Sequence, residues 1–319
     1  MGKYIARRTL LVIPVLFIVS VITFSIMQLA PGDPAAIVLG GDYIMYATVE
    51  EIEEVRINMG IDRPPIEQYF SWLGGFFVGE LGKSLFTTES VSLLVSQKIE
   101  ATISTVFSGI TIALLFGIPM GVLAGWKMNT WIDRSVMVFA VLGFAIPGFW
   151  LAFNLIFLFS LKLGWFPVFG FRSLITDGPI EFLRYITLPG ITLGVAFMAL
   201  IARMTRSSLV EVLSEDYIRT ARAKGLSERI VLIRHALRAA SMPVVTVIGL
   251  VFAAAVTGTV ITESVFAIPG MGRMFVKAVG DRDFPVIQGL MMIFATSYVF
   301  VNLGVDILYA YLDPRVRYS

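Results

Sequence analysis

The sequence predicts an all-α integral membrane protein with six transmembrane helices, on the strength of its composition and its pattern of charges. Hydrophobic residues make up 57% of the chain and charged residues only 15%, whereas a soluble domain usually carries about a quarter charged residues. Six segments lack Asp, Glu, Lys and Arg, and each matches or exceeds the roughly 18–20 residues that a helix needs to cross a bilayer. These segments are Thr9–Ala30, Ala101–Trp126, Ser135–Leu161, Tyr185–Ala202, Ala239–Thr262 and Phe284–Val305.

The positions of the basic residues predict the orientation of these helices. Fifteen of the 25 Lys and Arg residues lie before the first apolar segment, between the second and third, between the fourth and fifth, or after the sixth. Because cytoplasmic loops are enriched in Lys and Arg, we expect an N-in and C-in topology. The first apolar segment is longer than the apolar part of a signal peptide, so we expect it to be retained as a span.

The region 31–100 is predicted to be a small external region with short helices of its own. It contains eleven Asp and Glu residues against four Lys and Arg residues. Its last part, Val91–Lys98, is predicted to lead into the second span as an amphipathic helix. A folded cap over the outer mouth of the protein is the preferred role, and a passive spacer is the alternative. The predicted divisions are 1–30 for the N-terminal tail and first span, 31–100 for the external region, 101–312 for a five-helix core, and 313–319 for a cytoplasmic tail.

Local motifs place two short helices inside this external region. Thr48 and Glu51 form a capping-box pattern at the start of the first helix, and Gly60 is a suitable residue to end it. A proline at position 65 can occupy the first turn of the second helix, which is predicted to end near Gly74.

Three glycines in the second span predict a close contact with another helix. Gly117, Gly121 and Gly125 recur every four residues, so they share one helical face and let a neighbouring backbone approach. Packing within the subunit is the preferred interpretation, and packing between subunits is the alternative.

The segment 203–241 differs from the other inside loops because it combines eight basic residues with helix-capping signals. Ser208 followed by Glu211 predicts a helix start. Gly225 is placed to end that helix in the left-handed conformation, and Ser227 can cap a second one. We therefore expect two short helices joined at Gly225, within a coupling loop at 208–241. From the residues alone, an arginine-rich helix pair bound to anionic lipid is an equal alternative.

Several motifs together resemble one family of transport proteins. The segment 216–226, Asp-Tyr-Ile-Arg-Thr-Ala-Arg-Ala-Lys-Gly-Leu, resembles the EAA loop of ABC importer permeases in the form of the dipeptide/oligopeptide/nickel family, B-type subunit. Further matches are Leu-Ala-Pro-Gly-Asp-Pro at 29–34, Thr-Glu-Ser-Val-Phe at 262–266, Pro-Gly-Met-Gly-Arg at 269–273 and Asp-Pro-Arg at 313–315. Of the general EAA consensus only Ala221, Gly225 and Leu237 match, and these departures are typical of the peptide-permease branch.

The resemblance implies a type I ABC importer permease fold and a set of partners. The partners are a related C-type permease that completes a heterodimer, two ABC ATPase subunits, an extracytoplasmic solute-binding protein and a peptide substrate. The chain itself would be a multi-pass protein of the inner membrane, surrounded by lipid, and no nucleic-acid partner is implied. The residues that it implies for docking the ATPase are Tyr217, Ile218, Arg219, Thr220, Ala221, Arg222, Ala223, Lys224, Gly225 and Leu226. Candidates for the translocation path or the outer gate are Glu263, Phe266 and Asp306.

The sequence contains no motif that predicts catalysis or hydrolysis of ATP by this chain. There is no Gly-x-x-x-x-Gly-Lys-Ser/Thr loop, which is the usual phosphate-binding motif of ATPases, so ATP and Mg²⁺ are expected on the partner ATPase subunits. Neither a catalytic constellation nor a metal-ligand cluster is predicted, and no cofactor is expected on this chain. The alternatives are an importer of nickel, glutathione or oligosaccharides, an ion-driven secondary transporter, for which the sequence gives no clear interrupted helix, and a membrane-embedded enzyme.

Overall fold

A computed structural model describes residues 2–29, 34–39 and 48–312, and helices dominate these ranges. The predicted tail 313–319 and parts of the motif 29–34 therefore lie outside the described residues. The helices are α1 (Gly2–Leu29), α2 (Pro34–Val38), α3 (Val49–Met59), α4 (Pro65–Val78), α5 (Val91–Trp126), α6 (Trp131–Ala145), α7 (Gly148–Leu155, continued by a π-helix Ile156–Lys162), α8 (Pro179–Leu213), α9 (Asp216–Ala223), α10 (Glu228–Ile230, continued by a π-helix Val231–Ala236), α11 (Leu237–Val265), α12 (Met271–Asp281) and α13 (Phe284–Leu312).

Six parts of this helical structure correspond to the six predicted spans. α1, α5, α8, the continuous unit from α10 to α11, and α13 are each long and apolar enough to cross a membrane. The sixth is the pair α6 and α7, whose two halves bend by 101°. The prediction of six spans is confirmed in this form.

The bend between α6 and α7 follows from Pro147. Proline lacks a backbone N–H and disfavours the helical conformation of the residue before it. Ile146 is accordingly extended, with φ −72° and ψ 124°. Each half has about 15 residues, or about 22 Å of helix, so neither crosses about 30 Å of hydrocarbon alone. The structure therefore contains an interrupted helix at a position where the sequence shows none clearly.

The centre of the molecule is the contact between α5 and α8, which the glycine spacing predicted. Gly117, Gly121 and Gly125 all face α8. A Cβ atom on Gly121 would lie 2.5 Å from the carbonyl oxygen of Ala202 and 2.6 Å from the Cβ atom of Thr205. The close approach is therefore within the subunit, as preferred, and at Gly121 it leaves no room for a side chain.

The external helices α3 and α4 lie where the motifs predict them, but α4 ends later in the chain than predicted. Thr48 Oγ1 accepts the N–H of Glu51, whose carboxylate accepts the N–H of Thr48 at 2.8 Å and thereby has a lowered pKa. Gly60 ends α3 with φ 68°. However, α4 continues past Gly74 and ends at Gly79, which has φ 82°. A glycine ends a helix when it adopts the left-handed conformation, and in α4 the residue that does so is Gly79.

Candidate functional site

The helix predicted to dock a partner, α9, lies at the end of the long helix α8. The predicted helix start at Ser208 is wrong, because α8 continues through this residue to Leu213. Ser208 is only 5% exposed and packs inside the protein. The chain turns at Ser214 and Glu215 instead, and α9 begins at Asp216. α9 is therefore attached directly to the end of a membrane-spanning helix.

Two side chains of α9 hold it against the rest of the protein. Ile218 is fully buried and Ala221 is 7% exposed. They belong to one apolar cluster with Leu209 of α8 and with Val231 and Ala236, which precede α11. Because residues three apart lie on the same side of a helix, this pair fixes one face of α9 on the two spans at once.

The opposite side of α9 and the turn after it are exposed. The exposed members of the predicted docking segment are Tyr217, Arg219, Thr220, Arg222, Ala223, Lys224, Gly225 and Leu226. Arg222 makes a bidentate ion pair with Glu228 across the turn, with Nε–Oε1 at 2.9 Å and Nη2–Oε2 at 3.2 Å. Partial burial raises the pKa of Tyr217, and the nearby charge of Glu215 adds to the increase.

Gly225 ends the helix in the way the sequence predicted. Its φ is 79°, its N–H donates to the carbonyl of Arg222 at 2.9 Å, and no atom lies within 4 Å of the position a Cβ would occupy. The prediction of a second short helix needs correction. Ser227 occupies the cap position without a side-chain hydrogen bond, and α10 passes through the π-helix into α11 as one unit of 38 residues ending at Val265.

An ion pair between α6 and α8 could not be foreseen from the sequence. Asp133, at the start of α6, has a side chain only 4% exposed. It accepts two hydrogen bonds from Arg206 of α8, both at 2.8 Å, and one from the backbone N–H of Asn129 at 3.0 Å. This bidentate pair ties the broken span to the helix that carries α9. The available signal was an acidic residue at the edge of an apolar segment.

At the opposite end of the molecule, Glu263 organises the start of α12. Its carboxyl group is completely buried. It accepts the hydroxyl of Thr102 at 2.7 Å and the backbone N–H of Arg273 at 3.0 Å. The hydroxyl of Thr102 in turn accepts the N–H of Met271 at 2.8 Å. The first N–H groups of a helix have no acceptors within the helix, and at α12 side chains of α5 and α11 act as the acceptors.

The glycines at the start of α12 make room for this carboxyl group. A Cβ atom on Gly270 would lie 2.3 Å from the Glu263 carboxyl carbon, and one on Gly272 would lie 2.7 Å from the Cα atom of Val260. The two glycines therefore leave the space that the Glu263 carboxyl group and the neighbouring backbone occupy.

The three candidates for the path or gate lie at two separate places. Phe266 adjoins the Glu263 network, is 2% exposed, and accepts the N–H of Gly170 on its carbonyl at 2.9 Å. Asp306 lies near the other end of α13, about 33 Å along the helix from its start. There it pairs with Arg8 of α1 at 2.9 Å. The structure thus brings Glu263 and Phe266 together and places Asp306 apart from them.

A pocket of about 320 Å³ lies between α12 and residues 84–98. Its charged lining residues are Lys98, Arg273, Lys277, Asp281 and Asp283. Asp283 is 5% exposed and accepts hydrogen bonds from Ser84 Oγ at 2.5 Å and from the N–H of Leu85 at 3.2 Å. The lining therefore contains three cations, and one of its two carboxylates is already held by the protein.

Comparison with known protein families decides the class of the chain. Residues 117–318 match the family described as binding-protein-dependent transport system inner membrane component, and residues 1–111 match the N-terminal part of such membrane components. The chain belongs to this family. It is therefore a multi-pass permease of an ABC importer, and the resemblance seen in the sequence is confirmed.

Similar proteins extend over the whole length of this permease. A putative peptide transport system permease of Brucella abortus is 42% identical, and the dipeptide transport system permease DppB of Alkalihalophilus pseudofirmus is 39% identical. The glutathione transport system permease GsiC of Escherichia coli is 41% identical. Each alignment covers 100% of both chains.

A solved structure of the same kind confirms the fold of the permease. A chain of the inward-facing MetNI methionine ABC transporter matches with a TM-score of 0.56 at 17% identity, covering 69% of this chain and 97% of that chain. The expectation of a type I ABC importer permease fold is confirmed.

Proposed function

We propose that this permease is the B-type subunit of a peptide importer in the inner membrane. Together with a related C-type permease it would form the heterodimer through which peptides pass chemically unchanged. The proposal rests on full-length relatives at about 40% identity that are described as peptide or dipeptide permeases. The chain itself would catalyse no reaction and bind no cofactor, since ATP and Mg²⁺ would be held by two separate ATPase subunits.

The placement of α9 is the observation that carries the coupling part of this proposal. Ile218 and Ala221 fix the helix to α8 and to the start of α11, while its other side is exposed. A groove of the ATPase would receive this exposed side, with Tyr217, Arg222 and Leu226 at its centre. Because α8 ends just before α9 and the unit from α10 to α11 begins just after it, movement of the ATPase would turn the two spans as levers.

The end of the molecule that carries α12 is proposed to receive the solute-binding protein and to gate the translocation path. The pocket beside α12 presents Lys98, Arg273 and Lys277, which favours contact with an acidic surface. Glu263 and Phe266 are buried, so they would act by holding α12 in place at the outer gate. Asp306, paired with Arg8, would hold the first and last spans together at the inner end of the path.

Cross-linking tests the docking of α9. Because the sequence contains no cysteine, a single-cysteine variant carries one thiol at a known position of this chain. In the full complex, Arg222→Cys should form a disulfide with a cysteine placed in the ATPase groove. Glu53→Cys on the external helix α3 is the matched control and should not. Repeated failure at 222 and at the neighbouring exposed positions would favour a loop that binds lipid.

Transport by reconstituted complexes tests the energy source and the substrate. Uptake should persist with ATP inside the vesicles and a collapsed membrane potential, and its loss would favour the ion-driven alternative. The 41% identical glutathione permease makes glutathione the second candidate substrate. With the cognate binding protein, unlabelled dipeptides should compete with labelled substrate more strongly than glutathione does, and the reverse order would select the glutathione importer.

A further inference from the structure

The external helix α4 is apolar yet has no buried residue within the described part of the chain. Ile66 is 72% exposed, Phe70 62% and Phe77 78%. A helix with this many apolar side chains normally buries them in a protein core or in a membrane. The described part of the chain therefore provides no cover for these three side chains.

Contacts with α1 place α4 at the level of the membrane. The hydroxyl groups of Tyr69 and Ser20 are 2.8 Å apart, and Ser20 lies in the middle of the apolar segment Thr9–Ala30. Gln68 accepts a hydrogen bond from Gln28 at 2.8 Å, about 12 Å further along α1. The helix thus lies beside the last turns of α1, and its tyrosine points towards the middle of the bilayer.

The direction of Tyr69 identifies which side of α4 faces the lipid. Successive residues turn by about 100° around a helix, so Ile66, Phe70 and Phe77 all lie within about 100° of Tyr69. Two polar residues, Glu67 and Ser71, lie about 160° away from it, on the opposite side. The exposed aromatic side chains consequently share the half of α4 that is directed into the membrane.

The neighbouring surface of α1 has the same character. Phe17, Ile22 and Ile26 are each about half exposed, and Phe24 packs edge-on against Tyr69 with ring centroids 5.5 Å apart. The apolar surface of α4 therefore adjoins a membrane-spanning helix whose own apolar side chains are uncovered. Exposed aromatic side chains on one side and Glu67 and Ser71 on the other are typical of helices that lie in the plane of a membrane interface, although Val78, which is 74% exposed at the end of α4, lies on the Glu67 side.

We propose that α4 is an interfacial anchor whose Ile66, Phe70 and Phe77 side chains bind phospholipid acyl chains in the leaflet on the α12 side. The helix would lie in the membrane surface, with Glu67 and Ser71 towards water. At its far end the hydroxyl of Ser92 donates to the carbonyl of Gly79, so this anchor is tied to the start of α5. This assignment is independent of the transported substrate.

Spin labels on single cysteines test this proposal in the reconstituted importer with all its subunits. The variants are Phe70→Cys and Phe77→Cys on the proposed lipid side, Ser71→Cys on the opposite side of the same helix, and Ile22→Cys as a lipid-facing reference on α1. Collisions with oxygen, which dissolves in lipid, are compared with collisions with a water-soluble nickel chelate. We expect a severalfold higher oxygen-to-nickel ratio at 70 and 77 than at 71, close to that at 22.

Two other results would overturn the proposal. If the labels at 70 and 77 collide with the nickel chelate as often as the label at 71, the face is exposed to water. If neither reagent reaches 70 and 77 while both controls behave as expected, a protein surface such as the second permease covers the face.

Discussion

Replacing Thr102 by valine tests whether α12 is held by hydrogen bonds from the neighbouring spans. The substitution keeps the shape of the side chain but removes the hydroxyl that donates to Glu263 and accepts from Met271. Thr105 provides the matched control. It lies one turn further along α5, is fully buried, and its hydroxyl donates at 2.8 Å to the carbonyl of Ala101 in its own helix.

The structure sets different costs for the two substitutions. Thr102→Val leaves the N–H of Met271 without its acceptor and removes one donor from the buried carboxyl group. An orphaned buried group costs about 1–3 kcal/mol, and a lost bond to a charged group about 1.5–3 kcal/mol. Because both losses occur at one hydroxyl and do not add fully, we expect about 2–5 kcal/mol for Thr102→Val. Thr105→Val removes only one additional bond to a carbonyl within the helix, for which about 0.5–1.5 kcal/mol is typical.

Hydrogen exchange of the 271–281 backbone amides measures this difference, because opening of α12 breaks these bonds. Since about 1.4 kcal/mol corresponds to a factor of ten, Thr102→Val should accelerate the exchange by about 30-fold or more. Thr105→Val should accelerate it by less than about tenfold. Equal effects of the two variants, or unchanged exchange in Thr102→Val, would refute the account of how α12 is held.

Three further substitutions test other parts of the permease. Gly225→Val should abolish substrate-stimulated ATP hydrolysis while membrane insertion stays normal, because a β-branched residue is strained at φ 79°. Gly225→Asn should retain most of this hydrolysis, and unchanged hydrolysis in Gly225→Val would contradict the coupling role. Gly121→Leu should lower the yield of folded protein sharply. Gly304→Leu should not, because no atom lies within 4 Å of the Cβ that it adds, and equal yields would contradict the tight α5–α8 contact. Asp133→Leu should destabilise the protein by about 1–3 kcal/mol in chemical denaturation, because Arg206, whose side chain is 28% exposed, loses its partner. Adding Arg206→Met should recover part of the loss, and no recovery would argue against the pair.

The predictions that succeeded rest on effects that act over a few neighbouring residues. A helix must satisfy its own backbone groups inside a membrane, so a long uncharged segment predicts a span before any packing is known. The positive φ at Gly225 and the capping pair Thr48–Glu51 are similarly local, since the partners are within five residues. The glycine spacing in α5 predicted a close contact, and only the structure identified α8 as its partner.

The predictions that failed depended on competition between local signals and distant contacts. Ser208 and Glu211 form a helix-start pattern, but Leu209 is fully buried in the cluster beneath α9, and its burial favours continuation of α8. Ser227 does occupy the cap position of a helix, but that helix is continuous with α11, since Val231 and Ala236 pack into the cluster beneath α9. A capping motif contributes about 1 kcal/mol, which is less than the burial of a few apolar side chains contributes.

The sequence by itself determined the membrane class, the number of spans, the family, and the segment that is proposed to meet the ATPase. All of these depend on composition or on motifs that are contiguous in the chain. Only the tertiary structure decided which face of α9 is exposed, that Glu263 holds α12 through Thr102, and that Asp133 pairs with Arg206. These partners are 161 and 73 residues apart in the chain, and a hydrogen bond depends on the final positions of atoms that no local pattern encodes.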